Sequence, residues 1–355
     1  MVSLPESRVS SPQRILVTRT DRLGDLVLST PVFQTIRQRF PNAHLACLTF
    51  LENRQAVEGN PYLNEVILYD KLGSERGWLG NLRFARGISK RRFDTVIHLH
   101  STNRMHLVGW LAGIPVRIGY RKKNAWALTH SIEDRKGEGL KHESEYNFDL
   151  LKPLGIKAPP RIETFMPLQE KDRISLALLL GNLGLEEGTG YVVLNPSASC
   201  PSKVWQAERF ALLADKLHQN YGLAVVLIGS LRDRHYATKV REHVRSPVVD
   251  LSGKLSVGML AWLLKQARLL ISNDSGPVHV ARAVGTPAVS IFGRNLSGLS
   301  PRRWGPLGSE GRVVHKEVAC PVCLAHRCPI NFLCLDVVSV EDVAEAAEEF
   351  LGKSN

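Results

Sequence analysis

Several features are missing from this chain of 355 residues, and each absence excludes a class of protein. No apolar run approaches the about 18–20 residues that span a membrane. The first eight residues hold no apolar segment that could serve as a signal peptide. We therefore expect a cytoplasmic protein. Hydrophobic residues at 44% and charged residues at 23% are ordinary proportions for a globular protein, which argues against disorder.

Three nucleotide-binding motifs are also missing. No Gly-x-Gly-x-x-Gly follows the apolar segment that ends at Val17, which argues against a nicotinamide or flavin dehydrogenase. The absence of Gly-x4-Gly-Lys-Ser/Thr disfavours a P-loop kinase or ATPase. An Asp-x-Asp pair, which would hold a divalent cation on a diphosphate, is absent as well. If this chain is a sugar-nucleotide enzyme, protein groups would have to neutralise the charge on the leaving group.

What the chain does contain is an alternation of apolar strands and amphipathic helices. Strands are predicted at Arg14–Thr18, His44–Phe50, Glu65–Tyr69 and Asp94–Leu99, with a helix over Asp25–Phe40. A second series starts at Tyr191 and runs to a strand over Ala288–Phe292. This pattern predicts an α/β protein with two doubly wound parallel sheets. We expect a mobile tail at 1–13, a first lobe at 14–160 and a second at 161–355, with the site in a cleft between the lobes.

The net charge of +12 lies mostly in the first 160 residues. Basic residues are densest between Arg76 and Arg92, where they alternate with Trp78, Leu79, Leu82 and Phe84. Two interpretations fit this segment: a solvated helix face, or a surface that docks to an anionic membrane or acceptor. Nucleic acid is disfavoured as a partner, because no DNA- or RNA-binding motif accompanies the charge.

The segment from Ile271 to Ala281 contains the most informative turn of the chain. An apolar strand runs into Asp274-Ser275-Gly276-Pro277, and an amphipathic helix follows. Free backbone N–H groups at the start of such a helix bind anions, and proline suits the first helical turn. Asp274 and His279 add polar groups for a sugar. The turn therefore predicts a phosphate and sugar site, although His279 also suits a buried histidine on the helix face.

Two further loops are predicted at the same edge of the second sheet. The loop after the strand Tyr191–Leu194 carries the hydroxyls of Ser197 and Ser199 and ends in Lys203, just before a helix. Hydroxyls donate hydrogen bonds, and an ammonium is a compact charge suited to phosphate. A lone lysine in this position is also an ordinary surface residue. Asp233, after the next strand, could accept hydrogen bonds from ribose or the base.

Together these segments resemble glycosyltransferase family 9, the ADP-heptose:lipopolysaccharide heptosyltransferases. The resemblance runs nearly end to end. The segments that carry it are Arg19–Pro31, Arg117–Tyr120, Ser199–Trp205 and Asn273–Ala283. It implies a GT-B fold, in which two Rossmann-like lobes face each other across a cleft. It also implies inverting transfer of a heptose from a nucleotide diphosphate to a lipid A and inner-core acceptor, at the inner membrane of a Gram-negative bacterium.

The resemblance also implies roles for individual residues. Asp25 matches the general base, and Lys203 matches the phosphate-binding lysine. The remaining positions that match the donor site are Ser197, Ser199, Asp233, Asp274, Ser275, Gly276 and His279. A carboxylate that takes the proton of the attacking hydroxyl suits this displacement chemistry. The alternative for Asp25 is a helix N-cap.

An acceptor that carries phosphates and carboxylates would suit the positive first lobe. Its candidate ligands are Arg22, Arg121, Lys122 and Lys123. We expect ADP-heptose as donor, no required cofactor, no catalytic metal, and a monomer that contacts the inner membrane peripherally. The rival functions are transfer to another acceptor such as a surface protein, a non-catalytic sugar-nucleotide binder, and a sugar-nucleotide 2-epimerase.

Four of the six cysteines fall between Cys320 and Cys334, at Cys-x2-Cys-x4-Cys-x5-Cys spacing. In a cytoplasmic protein, clustered cysteines indicate metal or redox chemistry rather than structural disulfides. Four thiolates, or three with His326, could close a tetrahedral metal site. Because the spacing is not that of a standard zinc finger, two interpretations stay open: a structural metal site and reduced structural thiols.

Overall fold

The computed structural model describes residues 11–185, 188–294, 296–320, 323 and 326–352, and it divides into two units. The first unit comprises the chain up to Gly137 together with Lys141–Pro167. The second comprises Glu138–Leu140 and the chain from Leu168 onward. Of the tail predicted at 1–13, residues 1–10 lie outside the described residues, and residues 11–13 form no helix or strand.

The first unit is built on a six-stranded parallel sheet. Its strands are β1 (Arg14–Arg19), β2 (His44–Phe50), β3 (Glu65–Tyr69), β4 (Thr95–His98), β5 (Val116–Tyr120) and β6 (His130–Ile132). They lie in the order β3-β2-β1-β4-β5-β6. The helices are α1 (Leu23–Val27), α2 (Thr30–Arg39), α3 (Gly77–Lys90), α4 (Asn103–Leu111) and α5 (Glu143–Asp149). The central strands are buried along nearly their whole length, as expected for a parallel sheet covered on both faces.

The second unit repeats this topology. Its strands are β7 (Tyr191–Asn195), β8 (Ala224–Leu227), β9 (Val248–Asp250), β10 (Leu269–Asn273), β11 (Ala288–Phe292) and β12 (Gly311–His315). They lie in the order β12-β11-β10-β7-β8-β9, again all parallel. The helices are α6 (Glu170–Gly181), α7 (Ala207–Tyr221), α8 (Arg234–His243), α9 (Val257–Gln266), α10 (Gly276–Ala283), α11 (Pro301–Trp304), α12 (Leu333–Asp336) and α13 (Val340–Leu351).

Each sheet is anchored by its own apolar core. In the first unit, Leu16 and Val96 of the central strands pack with Ile88 of α3 and Met105 of α4. In the second, the fully buried Trp205 packs edge-on against Phe210 at a centroid distance of 5.0 Å. Burying a large apolar side chain contributes about 1.5–3 kcal/mol. Two separate cores of this kind explain why the chain forms two compact units.

The predicted helix over Asp25–Phe40 is two helices. Pro31 has no backbone N–H, so the carbonyl of Val27 cannot receive its usual hydrogen bond from the helix backbone. The hydroxyl of Thr30 donates to that carbonyl at 2.8 Å, and the hydroxyl of Ser29 donates to the carbonyl of Asp25 at 2.8 Å. These side chains replace the missing backbone bonds. As a result Asp25 lies on a separate short helix, α1, directly after β1.

Candidate active site

Both sheets have a topological switch point, where the strand order reverses direction. In the first unit it lies between β1 and β4, and in the second between β7 and β10. Ligands of open α/β sheets bind beyond the carboxyl ends of the strands at such points. Asp25 follows β1, whereas Lys203 follows β7 and Asp274 follows β10. The strand order therefore places the predicted catalytic and donor residues where this fold binds ligands.

The first switch point is organised by Arg19, the last residue of β1, whose side chain is 2% exposed. Its Nη2 atom donates to the Asp25 carboxylate at 2.8 Å and to Glu143 at 3.2 Å. Its Nε atom donates to Asp21 at 2.9 Å, and its Nη1 atom donates to the amide oxygen of Asn147 at 3.0 Å. One buried guanidinium thus orients three carboxylates, which suits the five-donor geometry of arginine.

Helix α5 supports this cluster from the other side. Glu143 is 1% exposed and also accepts from the Lys136 ammonium at 2.7 Å. The amide of Asn147 donates to the carbonyl of Leu28 and to the hydroxyl of Ser29, each at 3.3 Å. These bonds connect α5 to the break between α1 and α2. Asp25 is therefore held in position by the hydrogen bonds at the end of its own helix and by the guanidinium of Arg19.

The charges in this cluster shift the pKa values of its members. Burial raises the pKa of the Asp21 carboxyl to about 7; the Asp25 carboxylate adds to the rise, and Arg19 opposes it. Burial, followed by the charge of Arg19, lowers the pKa of His100 to about 4. For Arg19 burial acts to lower the pKa, but Asp21, Asp25 and Glu143 outweigh it and keep the guanidinium charged. The cluster therefore holds one carboxyl that titrates near neutral pH and a neutral histidine.

His100 borders the cluster just after β4. Its Nδ1 atom lies 3.1 Å from the carbonyl oxygen of Thr20, which can only accept, so Nδ1 carries the proton. The same atom lies 3.6 Å from Asp21. Because Nδ1 is protonated in the neutral ring, Nε2 is left as a hydrogen-bond acceptor. This gives the first switch point a neutral acceptor beside its carboxylates.

Asp25 occupies the third position of α1, and Arg22 is the N-cap residue of that helix. The alternative that Asp25 is the N-cap is therefore wrong. The Asp25 side chain is 14% exposed, so the carboxylate keeps limited access from outside the protein. A carboxylate that is held by a hydrogen bond and still accessible can accept a proton from a bound hydroxyl.

The predicted acceptor-binding residues lie on the surface of the first unit. Arg22 is exposed at the start of α1, and Arg121, Lys122 and Lys123 are exposed directly after β5. Lys122 forms a salt bridge of 3.0 Å with Asp134. The backbone N–H of Arg121 donates to the carbonyl of Ile132 in the neighbouring strand β6. Three of the four cations are thus presented together at the carboxyl end of one strand.

The second switch point is organised by an amide, Asn195, at the end of β7. Its Nδ2 atom donates to the hydroxyls of Ser275 at 2.8 Å and Ser272 at 3.0 Å, and its Oδ1 atom accepts from the hydroxyl of Ser197 at 2.8 Å. Asn195 is 1% exposed. The two predicted phosphate-binding loops are therefore joined by neutral hydrogen bonds, and Ser197 and Ser275 meet at one amide.

Asn273, the last residue of β10, makes a second connection between these loops. Its Nδ2 atom donates to the carbonyl of Pro196 at 2.8 Å, and its Oδ1 atom accepts from the backbone N–H of Trp205 at 3.1 Å. The indole of Trp205 in turn donates to the carbonyl of Val338 at 3.0 Å. The loop that carries Lys203 is thus fixed at both ends. A fixed loop loses little conformational entropy when it binds a ligand.

Lys203 and Asp274 form an ion pair of 2.5 Å in this site. Their side chains are 14% and 8% exposed, so both are mostly buried. The ammonium also donates to the carbonyl of Asp274 at 3.3 Å. Two residues that were predicted separately, 71 positions apart, are therefore direct neighbours.

The other predicted donor residues lie in the same unit, on α10 or on the loops that follow its strands. Ser275 is the N-cap residue of α10, Gly276 begins the helix, and Pro277 follows in its first turn. Ser199 is exposed, and His279 is buried on α10 at 5% exposure. Asp233 precedes α8 and accepts from the hydroxyl of Ser230 at 2.6 Å. The α10 turn thus has the backbone geometry of an anion site.

Several site residues escape prediction from the sequence. In the first unit they are Arg19, Asp21, Lys136, His100, Glu143 and Asn147, and in the second they are Asn195 and Asn273. A charged residue at the end of an apolar strand is a usable signal for Arg19, because a buried charge requires partners. Glu143 gives no such signal, since it lies 124 positions from Arg19 and only the fold brings the two together.

The cysteine segment is partly described. The thiols of Cys320, Cys323 and Cys328 lie near enough to that of Cys334 to raise its pKa, although burial is the larger cause. Among the described residues, no group of three or more histidine, cysteine or acidic side chains stands where it could hold a metal ion. None of the four forms a disulfide bond with another described residue. A structural metal site and reduced structural thiols both stay predictions for this segment.

Comparison with known proteins identifies the family. The family model of glycosyltransferase family 9 (heptosyltransferase) matches residues 81–333, well over half of the chain. The chain belongs to glycosyltransferase family 9. Family 9 membership makes it a glycosyltransferase, as the resemblance in its sequence indicates.

Curated relatives of the chain include lipopolysaccharide heptosyltransferases. Lipopolysaccharide heptosyltransferase 3 of Escherichia coli strain K12 is 28% identical over 342 residues, which cover 92% of this chain and 95% of that protein. Lipopolysaccharide heptosyltransferase 2 of Salmonella typhimurium is 24% identical over 313 residues, which cover 85% of this chain and 87% of that protein. Both alignments therefore include residues of both units.

Solved structures support the same conclusion for the fold. A family 9 glycosyltransferase from Veillonella parvula superposes with a TM-score of 0.84 at 26% identity, covering 96% of this chain and 97% of that one. The E. coli ADP-heptose lipopolysaccharide heptosyltransferase II gives a TM-score of 0.79 at 22% identity, covering 96% and 98%. The predicted α/β fold of GT-B type, with two Rossmann-like sheets, is confirmed.

Over the described part of the chain, no helix of this family 9 protein is both long enough and apolar enough to cross a bilayer.

Proposed function

We propose that this protein is an inverting heptosyltransferase that moves a heptose from ADP-heptose to the lipopolysaccharide inner core. The first unit would bind the acceptor, and the second would bind the nucleotide sugar. The observation that carries the proposal is the contact of 2.8 Å between the buried Arg19 guanidinium and the Asp25 carboxylate. A carboxylate held at a topological switch point, where open α/β sheets bind ligands, supports the proposal that Asp25 is the general base.

In the proposed reaction an acceptor hydroxyl oxygen attacks the anomeric carbon of the donor. The bond from that carbon to the phosphate oxygen breaks, ADP departs, and the hydroxyl proton passes to the Asp25 carboxylate. Direct displacement of this kind inverts the configuration at the anomeric carbon. A preformed ion pair with Arg19 holds the carboxylate in one orientation, so little rearrangement is needed when the hydroxyl arrives.

The departing ADP gains negative charge as the bond breaks. We propose that the Lys203 ammonium and the backbone N–H groups of Ser275 and Gly276 stabilise that charge. The salt bridge between Lys203 and Asp274 supports this role, because it holds the ammonium in place before a donor binds. One well-placed donor of this type contributes about 3–4 kcal/mol to transition-state stabilisation. These protein groups would then neutralise the diphosphate charge that other sugar-nucleotide enzymes neutralise with a divalent cation.

The remaining residues complete the proposal. Ser197, Ser199, Asp233, Asp274 and His279 would bind the donor, and Arg22, Arg121, Lys122 and Lys123 would bind phosphates and carboxylates of the acceptor. We propose that the enzyme requires no cofactor and acts as a monomer at the cytoplasmic face of the inner membrane. The relatives that carry lipopolysaccharide in their names support this choice of acceptor.

A transfer assay tests the proposal. Purified protein would be incubated with ADP-heptose and either bare or heptosylated Kdo-lipid A, with EDTA present, and the acceptor would be examined by mass spectrometry. We expect the acceptor to gain the mass of one heptose, with equal yield when EDTA is omitted. Release of ADP without a mass gain on either acceptor would contradict the assignment of the acceptor, and failure to bind ADP would contradict that of the donor.

A further inference from the structure

Arg294 is a buried cation that neither the sequence motifs nor the proposed mechanism uses. It follows β11 by two residues, and it is 8% exposed. No carboxylate of the described residues forms a salt bridge with it. A buried charge without a counter-charge costs several kcal/mol, so such a residue is unusual in a folded protein.

The contacts of Arg294 are neutral groups. Its Nε atom donates to the hydroxyl of Ser202 at 2.9 Å, and its Nη2 atom lies against the sulfur of Cys200. A hydroxyl and a thiol are weak partners for a guanidinium. Its third nitrogen, Nη1, makes no hydrogen bond with any residue that the structure describes. These contacts orient the guanidinium and leave its positive charge without a counter-charge.

Arg294 lies at the same sheet edge as the candidate donor residues. Strand β11 pairs with β10, and the backbone N–H of Asp274 donates to the carbonyl of Ile291 at 3.0 Å. Ser202, which holds the guanidinium, immediately precedes Lys203 in the chain. The Lys203 ammonium is already paired with Asp274. Arg294 therefore adds a positive charge at this edge that no described acidic side chain offsets.

We propose that Arg294 is a further residue of the donor site and that its guanidinium binds the diphosphate of the nucleotide sugar. This inference rests on the proposed function. A diphosphate supplies the counter-charge that the protein lacks, and a planar guanidinium matches two phosphate oxygens at once. With no divalent cation on the diphosphate, a second cation beside Lys203 would neutralise the charge that grows on the departing ADP.

The test is an affinity comparison of ADP with adenosine, which shares the base and ribose but has no phosphate. Calorimetry would be run on the full-length wild type, Arg294→Gln and Arg294→Lys. We expect Arg294→Gln to weaken ADP binding about 10- to 100-fold, the loss typical of a hydrogen bond to a charged group, while adenosine binding changes less than about twofold. Arg294→Lys keeps the charge without the planar fork, so we expect an intermediate loss for ADP.

Arg312→Gln is the matched control. Arg312 lies on the neighbouring strand β12 near its amino end, at the opposite edge of the sheet, and pairs with Glu349. We expect it to bind ADP as the wild type does. The inference is overturned if Arg294→Gln binds ADP with wild-type affinity, or if ADP and adenosine weaken equally, since an equal loss indicates a purely structural role.

The lysine variant covers the case in which Arg294→Gln does not fold. Wild-type ADP affinity in Arg294→Lys would then overturn the inference, and a selective loss for ADP would support it. Failure of the wild type itself to bind ADP would refute the proposed function instead, so the two failures are distinguishable.

Discussion

The two units use the same strand order and build opposite kinds of site at their switch points. The first gathers charge: one guanidinium, one ammonium and three carboxylates lie around Arg19. The second gathers neutral groups: the amides of Asn195 and Asn273 and the hydroxyls of Ser197, Ser272 and Ser275 connect its loops, and the ion pair of Lys203 and Asp274 lies at the same sheet edge. The topology determines where a site lies, and the residues after the strands determine its chemistry.

The difference suits two separate tasks. Proton transfer requires a carboxylate whose position is controlled, and the hydrogen bond from the buried Arg19 guanidinium to Asp25 provides this control. Binding a diphosphate requires donors that are already in place. Amides and hydroxyls hold the loops of the second unit without competing strongly for an anion. This division of labour can be tested by substitutions in either unit.

Asp25→Asn should have the largest effect. The amide keeps the shape of the side chain but is not a base, so we expect the transfer rate to fall about 10²- to 10⁴-fold. The assay is initial-rate transfer at saturating donor. Asp149→Asn is a suitable control, because that carboxylate lies on α5 of the same unit and binds Lys141 and Lys152. A full transfer rate in Asp25→Asn would remove the catalytic assignment.

Arg19→Met tests the charge network itself. It removes the guanidinium that binds the largely buried Asp21, Asp25 and Glu143, so we expect the first unit to lose about 3–5 kcal/mol of stability. The equivalent change at the second switch point, Asn195→Ala, removes only neutral hydrogen bonds and should cost about 1–3 kcal/mol. Hydrogen exchange of the β1 and β7 amides measures each loss locally. Equal losses of stability would contradict the contrast between a charged first site and a neutral second site.

Asp21→Asn tests the pH dependence of the first site. The pKa of Asp21 is about 7 in the folded protein, above its ordinary value of 3.8, so the folded state binds more protons than the unfolded state between these values. Wild-type stability should therefore fall as pH rises from about 4 to 7 and then level off. His100, with a pKa of about 4, acts in the opposite sense up to about pH 6.5.

Because Asp21→Asn leaves His100 in place, the difference in unfolding free energy between wild type and variant reports the contribution of the Asp21 carboxyl alone. The measurement is urea unfolding at pH 5, 6, 7 and 8. We expect the stability difference to shift in favour of the variant across this range. Parallel stability curves would contradict the raised pKa.

Lys122→Ala should have the smallest effect. Lys122 is 52% exposed and already pairs with Asp134, so solvent screens its interaction with an acceptor. We expect the KM for the acceptor to rise about two- to fivefold, with kcat and the KM for the donor unchanged. Steady-state kinetics with each substrate varied in turn checks this, and a change confined to the donor KM would place Lys122 in the wrong site.

Much of the fold could be predicted because parallel strands carry a strong signal. Strands buried on both faces read as apolar runs, so β2 and β11 were predicted at their observed bounds. The edge strand β3 was also predicted at its observed bounds, but the edge strands β6 and β12, which are short or partly exposed, were not predicted. The break between α1 and α2 depends on Pro31 and on hydroxyl bonds that the apolar periodicity does not reveal.

The candidate site divides in the same way. Asp274 and Ser275 directly follow β10, and Lys203 lies in the loop that follows β7, so strand prediction was sufficient to group them. The salt bridge confirms that Lys203 and Asp274 are neighbours. Arg19, Glu143 and Asn147 form a cluster only through long-range packing of α5 against β1. A single sequence contains no local pattern for such contacts. The supporting residues of the base were therefore missed although Asp25 itself was named.

The division of labour between the two switch points is tested most directly by titrating ADP into Asp25→Asn and Lys203→Gln by calorimetry. The account predicts that Asp25→Asn binds ADP with the dissociation constant of the wild type and that Lys203→Gln binds it at least about tenfold more weakly, as expected when a charged hydrogen-bond donor is lost. Wild-type affinity in Lys203→Gln together with weakened binding in Asp25→Asn would contradict it.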